Sequence, residues 1–229
     1  MSETLDQTES MSTPRSVVAF MGGTFDPLHF GHLRMARELK QAIAAGQFRL
    51  VPCGDPYHKA HPVSPASQRV KMLELALAND AELDLDTREL KRDGPTYSYD
   101  TLVSLRQELG ADASLIMVMG MDSFLSLPKW HNWQKLTELG HILVVHRPGS
   151  EQALSEPLQS WYANCKATQL EQLRSSSHGL VFDLRMTMLD ISATQIRGLL
   201  SEGQSPQYLL PESVLEYINQ TGLYCSQPD

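Results

Sequence analysis

Val17-Val18-Ala19-Phe20-Met21-Gly22-Gly23-Thr24-Phe25-Asp26-Pro27-Leu28-His29-Phe30-Gly31-His32 is the stretch that decides the fold. Five apolar residues stop at a pair of glycines, and a run that short with a glycine stop reads as a buried strand. Beyond it, from Leu33 to Ala45, Met35, Leu39, Ala42 and Ile43 recur at helical spacing until Gly46 ends the pattern. Phe48 to Val51 reads as a second strand. Strand, helix and strand in this order form a βαβ unit, whose right-handed crossover makes the strands parallel.

The alternation carries on down the chain. A helix is expected around Gln68 to Ala78, a strand around Leu83 to Thr87, a helix from Tyr99 to Leu109 and a strongly apolar strand from Ser114 to Met119. Gly120 closes that strand; a short helical piece through Leu127 and a helix from Trp133 to Leu139 lead to a strand over Ile142 to Val145. Leu180 to Leu184 is the last expected strand. Two helices follow, one opening at Ser192 and one at Pro211, where proline suits the first helical position. The fold class is therefore α/β, a doubly wound open parallel sheet with a small C-terminal helical part at about 187–229. Residues 148–179 read as mixed helix and loop, a candidate insertion. In such sheets ligands bind beyond the carboxyl ends of the strands, which selects Gly22-Gly23, Pro52 to Lys59 and Gly120 to Asp122.

Composition limits the function classes. With 229 residues, 41% hydrophobic and 20% charged, the chain reads as one soluble domain over 16–229, without a membrane span. Residues 1–15 are polar and read as a flexible tail rather than a secretory signal. The three cysteines, Cys53, Cys165 and Cys225, have no metal or redox spacing, and a cytoplasmic location fits them. A net charge of −8 argues against nucleic acid as a partner. A polyanionic ligand would have to be held by a few local groups.

Glycines between a strand and a helix let the backbone approach a phosphate, and a helix start offers N–H groups and a positive dipole end. Neither a dinucleotide fingerprint nor a P-loop is present. His29 and His32 lie three apart at the mouth of the helix and share a face, with Gly31 leaving room between them. Metal ligation by this pair, or by His58 and His61, lacks further ligands of matching type nearby in sequence. Far away, Ser192 with Gln195 forms a capping box, and Arg197 sits just past the first turn. A cation near a positive helix end is easier to understand if an anion binds between them.

His29-Phe30-Gly31-His32 resembles the H-x-G-H motif of the nucleotidyltransferase superfamily. Ile191-Ser192-Ala193-Thr194-Gln195-Ile196-Arg197 resembles its I-S-[ST]-T-x-[IV]-R motif, with Ala193 departing at the third position. Pro56-Tyr57-His58-Lys59, Asp86-Thr87-Arg88-Glu89-Leu90, Gly94 to Leu102, Gly120-Met121-Asp122-Ser123-Phe124, Trp130-His131-Asn132-Trp133 and His146-Arg147-Pro148-Gly149 extend the likeness to the bacterial nicotinate-nucleotide adenylyltransferase family. That resemblance implies transfer of AMP from ATP to nicotinate mononucleotide in NAD biosynthesis. It implies ATP over Gly22, Gly23, Thr24, Phe25, His29, His32, Gly120, Asp122, Ile191, Ser192, Thr194 and Arg197. It implies the mononucleotide against Lys59, Thr96, Tyr97 and Trp130. His29, His32 and Arg197 are the expected catalytic donors, and Mg²⁺ is expected to arrive with ATP rather than in a protein cage. Trp130 is a stacking face for the pyridinium ring or a core residue; the residues alone leave both open. Two other readings predict different features: pantetheine-phosphate adenylyltransferases are shorter, and a non-catalytic nucleotide-binding regulator would have lost donors that are intact here.

Overall fold

The computed structural model describes residues 15–56, 62–146 and 153–225. Apart from Arg15, the expected tail lies outside these residues, as do His58, Lys59 and His61. Strand β1 (Val17–Gly23) is followed by helix α1 (Phe30–Ala42), β2 (Gln47–Pro52), α2 (Ala66–Leu77), β3 (Asp84–Leu85) and α3 (Ser98–Leu109). Then come β4 (Ser114–Gly120), α4 (Met121–Leu125), α5 (Leu136–Leu139), β5 (His141–His146), α6 (Glu156–Cys165), α7 (Gln172–Ser175) and β6 (Val181–Arg185). Helices α8 (Ala193–Ser201) and α9 (Glu212–Thr221) complete the series.

The six strands make one all-parallel sheet in the order β3-β2-β1-β4-β5-β6. The chain runs outward from β1 to β3 and then returns to β1's other side with β4. The order therefore reverses between β1 and β4, where this sheet class opens a crevice. Strands buried on both faces should divide their side chains by parity. They do: Val17, Ala19, Met21, Ile116, Val118, Leu143 and Val145 face a core closed by Ala36 and Leu39 of α1, by Ile43 just past its end and by Leu73 of α2. Phe20, Leu115, Met117, Met119, Ile142 and Val144 face the opposite core, closed by Leu102 and Leu105 of α3 and by Phe124, Leu136 and Leu158.

Two local readings are corrected, and one feature is added. The 148–179 region is no mere insertion: among its described residues, Leu158 and Cys165 of α6 enter one core and Leu173 of α7 the other. Its amphipathic signal is weak because α7 is only four residues long. Pro211 is the cap before α9, with φ −58 and ψ 142, and Glu212 takes the first helical position, where its charge suits the positive helix end. A two-residue parallel pair, Asp55–Pro56 with Pro95–Thr96, was not foreseen; strands that short carry no period to read.

A third apolar cluster fastens the C-terminal helices. Ile196 and Leu200 of α8 and Val214 and Ile218 of α9 pack with Met72 of α2. This brings Ser192 to Arg197 back over the carboxyl end of β1. No helix among the described residues is long and apolar enough to cross a membrane.

Candidate active site

A cleft of about 880 Å³ opens beyond the carboxyl ends of β1 and β4. It lies toward the upper end of the range for small-molecule sites, about 300–1,000 Å³. Gly22 and Gly120 stand at its floor, one on each side of the strand-order reversal. A side-chain carbon added at either would meet no protein atom within 4 Å, so it would project into open space. The glycines keep the crevice open rather than make a turn.

His29 caps α1 in an extended conformation, and His32 follows one turn on. Their rings stack with centroids 3.7 Å apart, and the edge of Phe25 meets His32 at 5.1 Å. Phe25 lies in the left-handed region, φ 51, which costs a non-glycine residue about 1–2 kcal/mol. Complete burial of its ring offsets that cost, so what Phe25 can offer a nucleotide is its main chain. Gly31 is a contact requirement. A methyl group there would sit 2.9 Å from His29 Nδ1 and 3.4 Å from the Ile191 carbonyl oxygen, where the two motifs abut.

The start of α1 supplies fewer main-chain donors than its sequence suggested. The Phe30 N–H donates to the Leu209 carbonyl at 3.0 Å, so it is already committed within the protein. His29 is 5% exposed, and its Nδ1 has no hydrogen-bond partner among the described residues. Burial lowers its pKa to about 4, which makes it a neutral, single-proton donor at pH 7.

Ser192 caps α8, its hydroxyl accepting from the Gln195 N–H at 3.1 Å, as the capping box requires. Arg197 reaches across to the other motif: Nη1 donates to the Asp26 carbonyl at 2.7 Å and Nη2 to Thr194 Oγ1 at 3.3 Å. Its guanidinium is thus fixed in orientation beside the histidines. Ile191, Ser192, Thr194 and Asp122 also line the cleft. A residue that sequence reasoning missed supports this side from below. Arg69 is 1% exposed and donates to the Thr24 and Cys53 carbonyls at 2.9 and 2.8 Å, clamping together the ends of β1 and β2. An arginine in an amphipathic helix gives no sequence signal that it points inward.

Thr96, Tyr97 and Trp130 line the far side of the same cleft. His131, unassigned from sequence, joins them: its ring lies 4.6 Å from that of Tyr97. Trp130 packs against the second core and also borders the cleft. Its indole N–H donates to Ser126 Oγ at 3.3 Å, which fixes the ring plane. Glu89 was also missed. It is buried at the cleft wall, and burial pushes its carboxyl up to about 7 against the pull of a hydrogen bond from Thr101.

Three buried groups set an acid response. His29 and His141 both have pKa values lowered by burial to about 4, against 6.5 unfolded. His141 sits at the opposite end of the sheet, bonded to the Ser176 carbonyl and the Leu180 N–H. Between pH 6.5 and 4.5 the unfolded chain binds these two protons and the folded one does not, so each histidine costs stability as pH falls. Glu89 has the opposite sign, because its raised folded pKa takes up a proton in that window. Two losses against one gain leave a net loss of about 2 kcal/mol from pH 6.5 to 4.5. Urea midpoints should show it, and Glu89→Gln should make the fall about twice as steep. A midpoint independent of pH across this range in both proteins would contradict the assignment.

Comparison with known proteins agrees with this geometry. The cytidylyltransferase-like family matches residues 20–199. A Marinomonas protein named "probable nicotinate-nucleotide adenylyltransferase" is 47% identical over 91% of this chain and 95% of its own. A Cellvibrio japonicus protein of the same name is 45% identical over 92% and 99%. Among solved structures, the Plasmodium falciparum nicotinic acid mononucleotide adenylyltransferase complexed with NaAD shares the fold, with a TM-score of 0.68 at 16% identity. That match covers 92% of this chain and 98% of the other. With both sequence motifs meeting at one cleft in a fold of this order, the chain belongs to the cytidylyltransferase-like family and, within it, to the nicotinate-nucleotide adenylyltransferases.

Proposed function

We infer that the protein transfers AMP from ATP to nicotinate mononucleotide, giving nicotinate adenine dinucleotide and pyrophosphate. The observation that carries this reading is one continuous cleft with two chemically different ends. His29, His32 and Arg197 gather at one end, and Tyr97, Trp130 and His131 at the other. We read residues 16–229 as a single nucleotidyltransferase domain, with about 187–229 as the helical part that closes over ATP.

The nucleophile is a phosphate monoester with a second pKa near 6, already mostly dianionic at neutral pH. It needs no general base. The barrier lies in bringing two anions together and in the charge that develops on the α-phosphate and the leaving pyrophosphate. In this reading the N–H groups of His32 and His29 meet the transferring and leaving phosphates, and Arg197 holds the β and γ groups. Gly22, Gly23, Thr24 and Phe25 present main chain to the nucleotide, and Gly120 leaves it room.

The donor set fits Mg²⁺ brought with ATP. Among the described residues no three His, Cys, Asp or Glu side chains gather to hold a metal, and Asp122, exposed at the start of α4, offers a carboxylate on the ATP side. When bound, the ion neutralises charge on the polyphosphate.

At the other end, the indole face of Trp130 would take the cationic pyridinium ring, and Thr96, Tyr97 and the neighbouring main-chain N–H groups its carboxylate edge. Lys59, expected against the mononucleotide, lies outside the described residues. Trp130→Ala is expected to raise KM for nicotinate mononucleotide about 10-fold, with KM for ATP nearly unchanged. Equal shifts in both constants would mark Trp130 as a packing residue instead. The reading as a whole is tested by pyrophosphate release from ATP with nicotinate mononucleotide, nicotinamide mononucleotide or phosphopantetheine offered in parallel. The first should be preferred; preference for phosphopantetheine would overturn it.

A further inference from the structure

Asp26 lies three residues before His29 and is 3% exposed. A carboxylate that deep is tolerated only when its lone pairs are filled. Oδ2 accepts the Val63 N–H at 2.6 Å and the Ser64 N–H at 3.3 Å. Oδ1 accepts the Tyr224 hydroxyl at 2.5 Å and the Ser64 hydroxyl. The Ser64 and Tyr224 hydroxyl oxygens also lie 3.1 Å apart. Asp26 therefore joins three stretches distant in sequence: the loop that presents the histidines, the segment that follows residue 61, and the stretch beyond α9. Its main-chain oxygen is held separately by Arg197.

Tyr224 is built for this contact. It sits in the left-handed region, φ 64, a conformation that a non-glycine residue keeps only when its surroundings impose it. Its ring packs against the cluster formed by α8, α9 and α2. Burial, together with the Asp26 carboxylate, pushes the phenol far above its ordinary range, so the hydroxyl stays a donor at any working pH.

We propose that Tyr224 is a positioning residue for adenylyl transfer, its hydroxyl locking Asp26 and Ser64 so that the loop before His29 and the stretch at Pro62 and Val63, both lining the cleft that the two substrates share, adopt one arrangement. This rests on the placement of the two substrates given above. A loop held in common makes the binding of each substrate favour the other, because the first to bind meets the cost of ordering both.

Tyr224→Phe keeps the ring and removes the hydroxyl; Ser64→Ala removes the second one. Binding of nicotinate mononucleotide is measured with and without the non-cleavable analogue α,β-methylene-ATP, alongside steady-state kinetics and thermal melts. In the unsubstituted protein the analogue should tighten mononucleotide binding about 5-fold or more. In Tyr224→Phe that factor should fall below about twofold and kcat about 10-fold, with Tm lowered by only about 3 °C. The double variant should lose less than the product of the two single losses, since both act on one carboxylate. Absence of coupling in the unsubstituted protein, or unchanged coupling and kcat in Tyr224→Phe, overturns the proposal. A His32→Ala arm separates the two levels. Its inactivity beside a normal Tyr224→Phe removes only the role of Tyr224, whereas an active His32→Ala removes the substrate placement itself.

Discussion

Replacing His32 with alanine is expected to lower kcat by about 10²–10³ and to leave KM for ATP within a few-fold, the effect of losing one preorganised donor. The split follows from what the side chain does. An N–H that meets the α-phosphate most strongly as charge develops stabilises the transition state more than bound ATP, and its loss appears in kcat. Folding should survive. His32 is half-buried: its ring stacks on His29 at the cleft and meets the first core at the edge of Phe25. His29→Ala should cost a similar factor in rate, and the double variant less than the product, because the rings stack and each orients the other. The check is steady-state kinetics with a melt on the same preparations. Turnover of a folded His32→Ala within about threefold of the unsubstituted protein would remove the histidine pair from the chemistry.

The frame around that pair was legible because it is periodic. Strands buried on both faces read as unbroken apolar runs such as Val17 to Met21 and Ser114 to Met119, and their glycine stops are also where the sheet ends and the cleft begins. The meeting of His29 and His32 with Arg197 was legible only as two motifs; nothing local says that a side-chain carbon at Gly31 would lie 3.4 Å from the Ile191 carbonyl oxygen. The supports beneath the site were not legible at all. Arg69 and Asp26 carry ordinary surface residue types, and their burial is set by partners at Cys53, Ser64 and Tyr224. Glu89 gives the same lesson: its titration near 7 is a property of a wall built from other segments. A sequence displays chemistry that repeats or caps, and conceals chemistry that depends on what folds over it.

Arg197→Ala should have an effect as large as that of His32→Ala but of a different kind: a fall in kcat/KM for ATP of about 10²–10³, carried mainly by KM. In the proposed placement Arg197 binds the β and γ groups, which are fully charged in the ground state, so binding suffers first. Two further losses accompany the charge. The Asp26 carbonyl loses its donor at 2.7 Å, and Thr194 Oγ1 its partner at 3.3 Å, so the loop before His29 is released as well. Arg197→Lys keeps the charge but has no planar fork with which to hold Asp26 and an anion at once; it should recover no more than about 10-fold. The β and γ groups leave as pyrophosphate, which gives a test that activity loss alone does not. In the reverse reaction Arg197→Ala should weaken pyrophosphate binding by about the factor lost for ATP, and His32→Ala should leave it nearly intact. An unchanged KM for pyrophosphate in Arg197→Ala would take the guanidinium off the leaving group and leave it only as the strut that fixes Asp26.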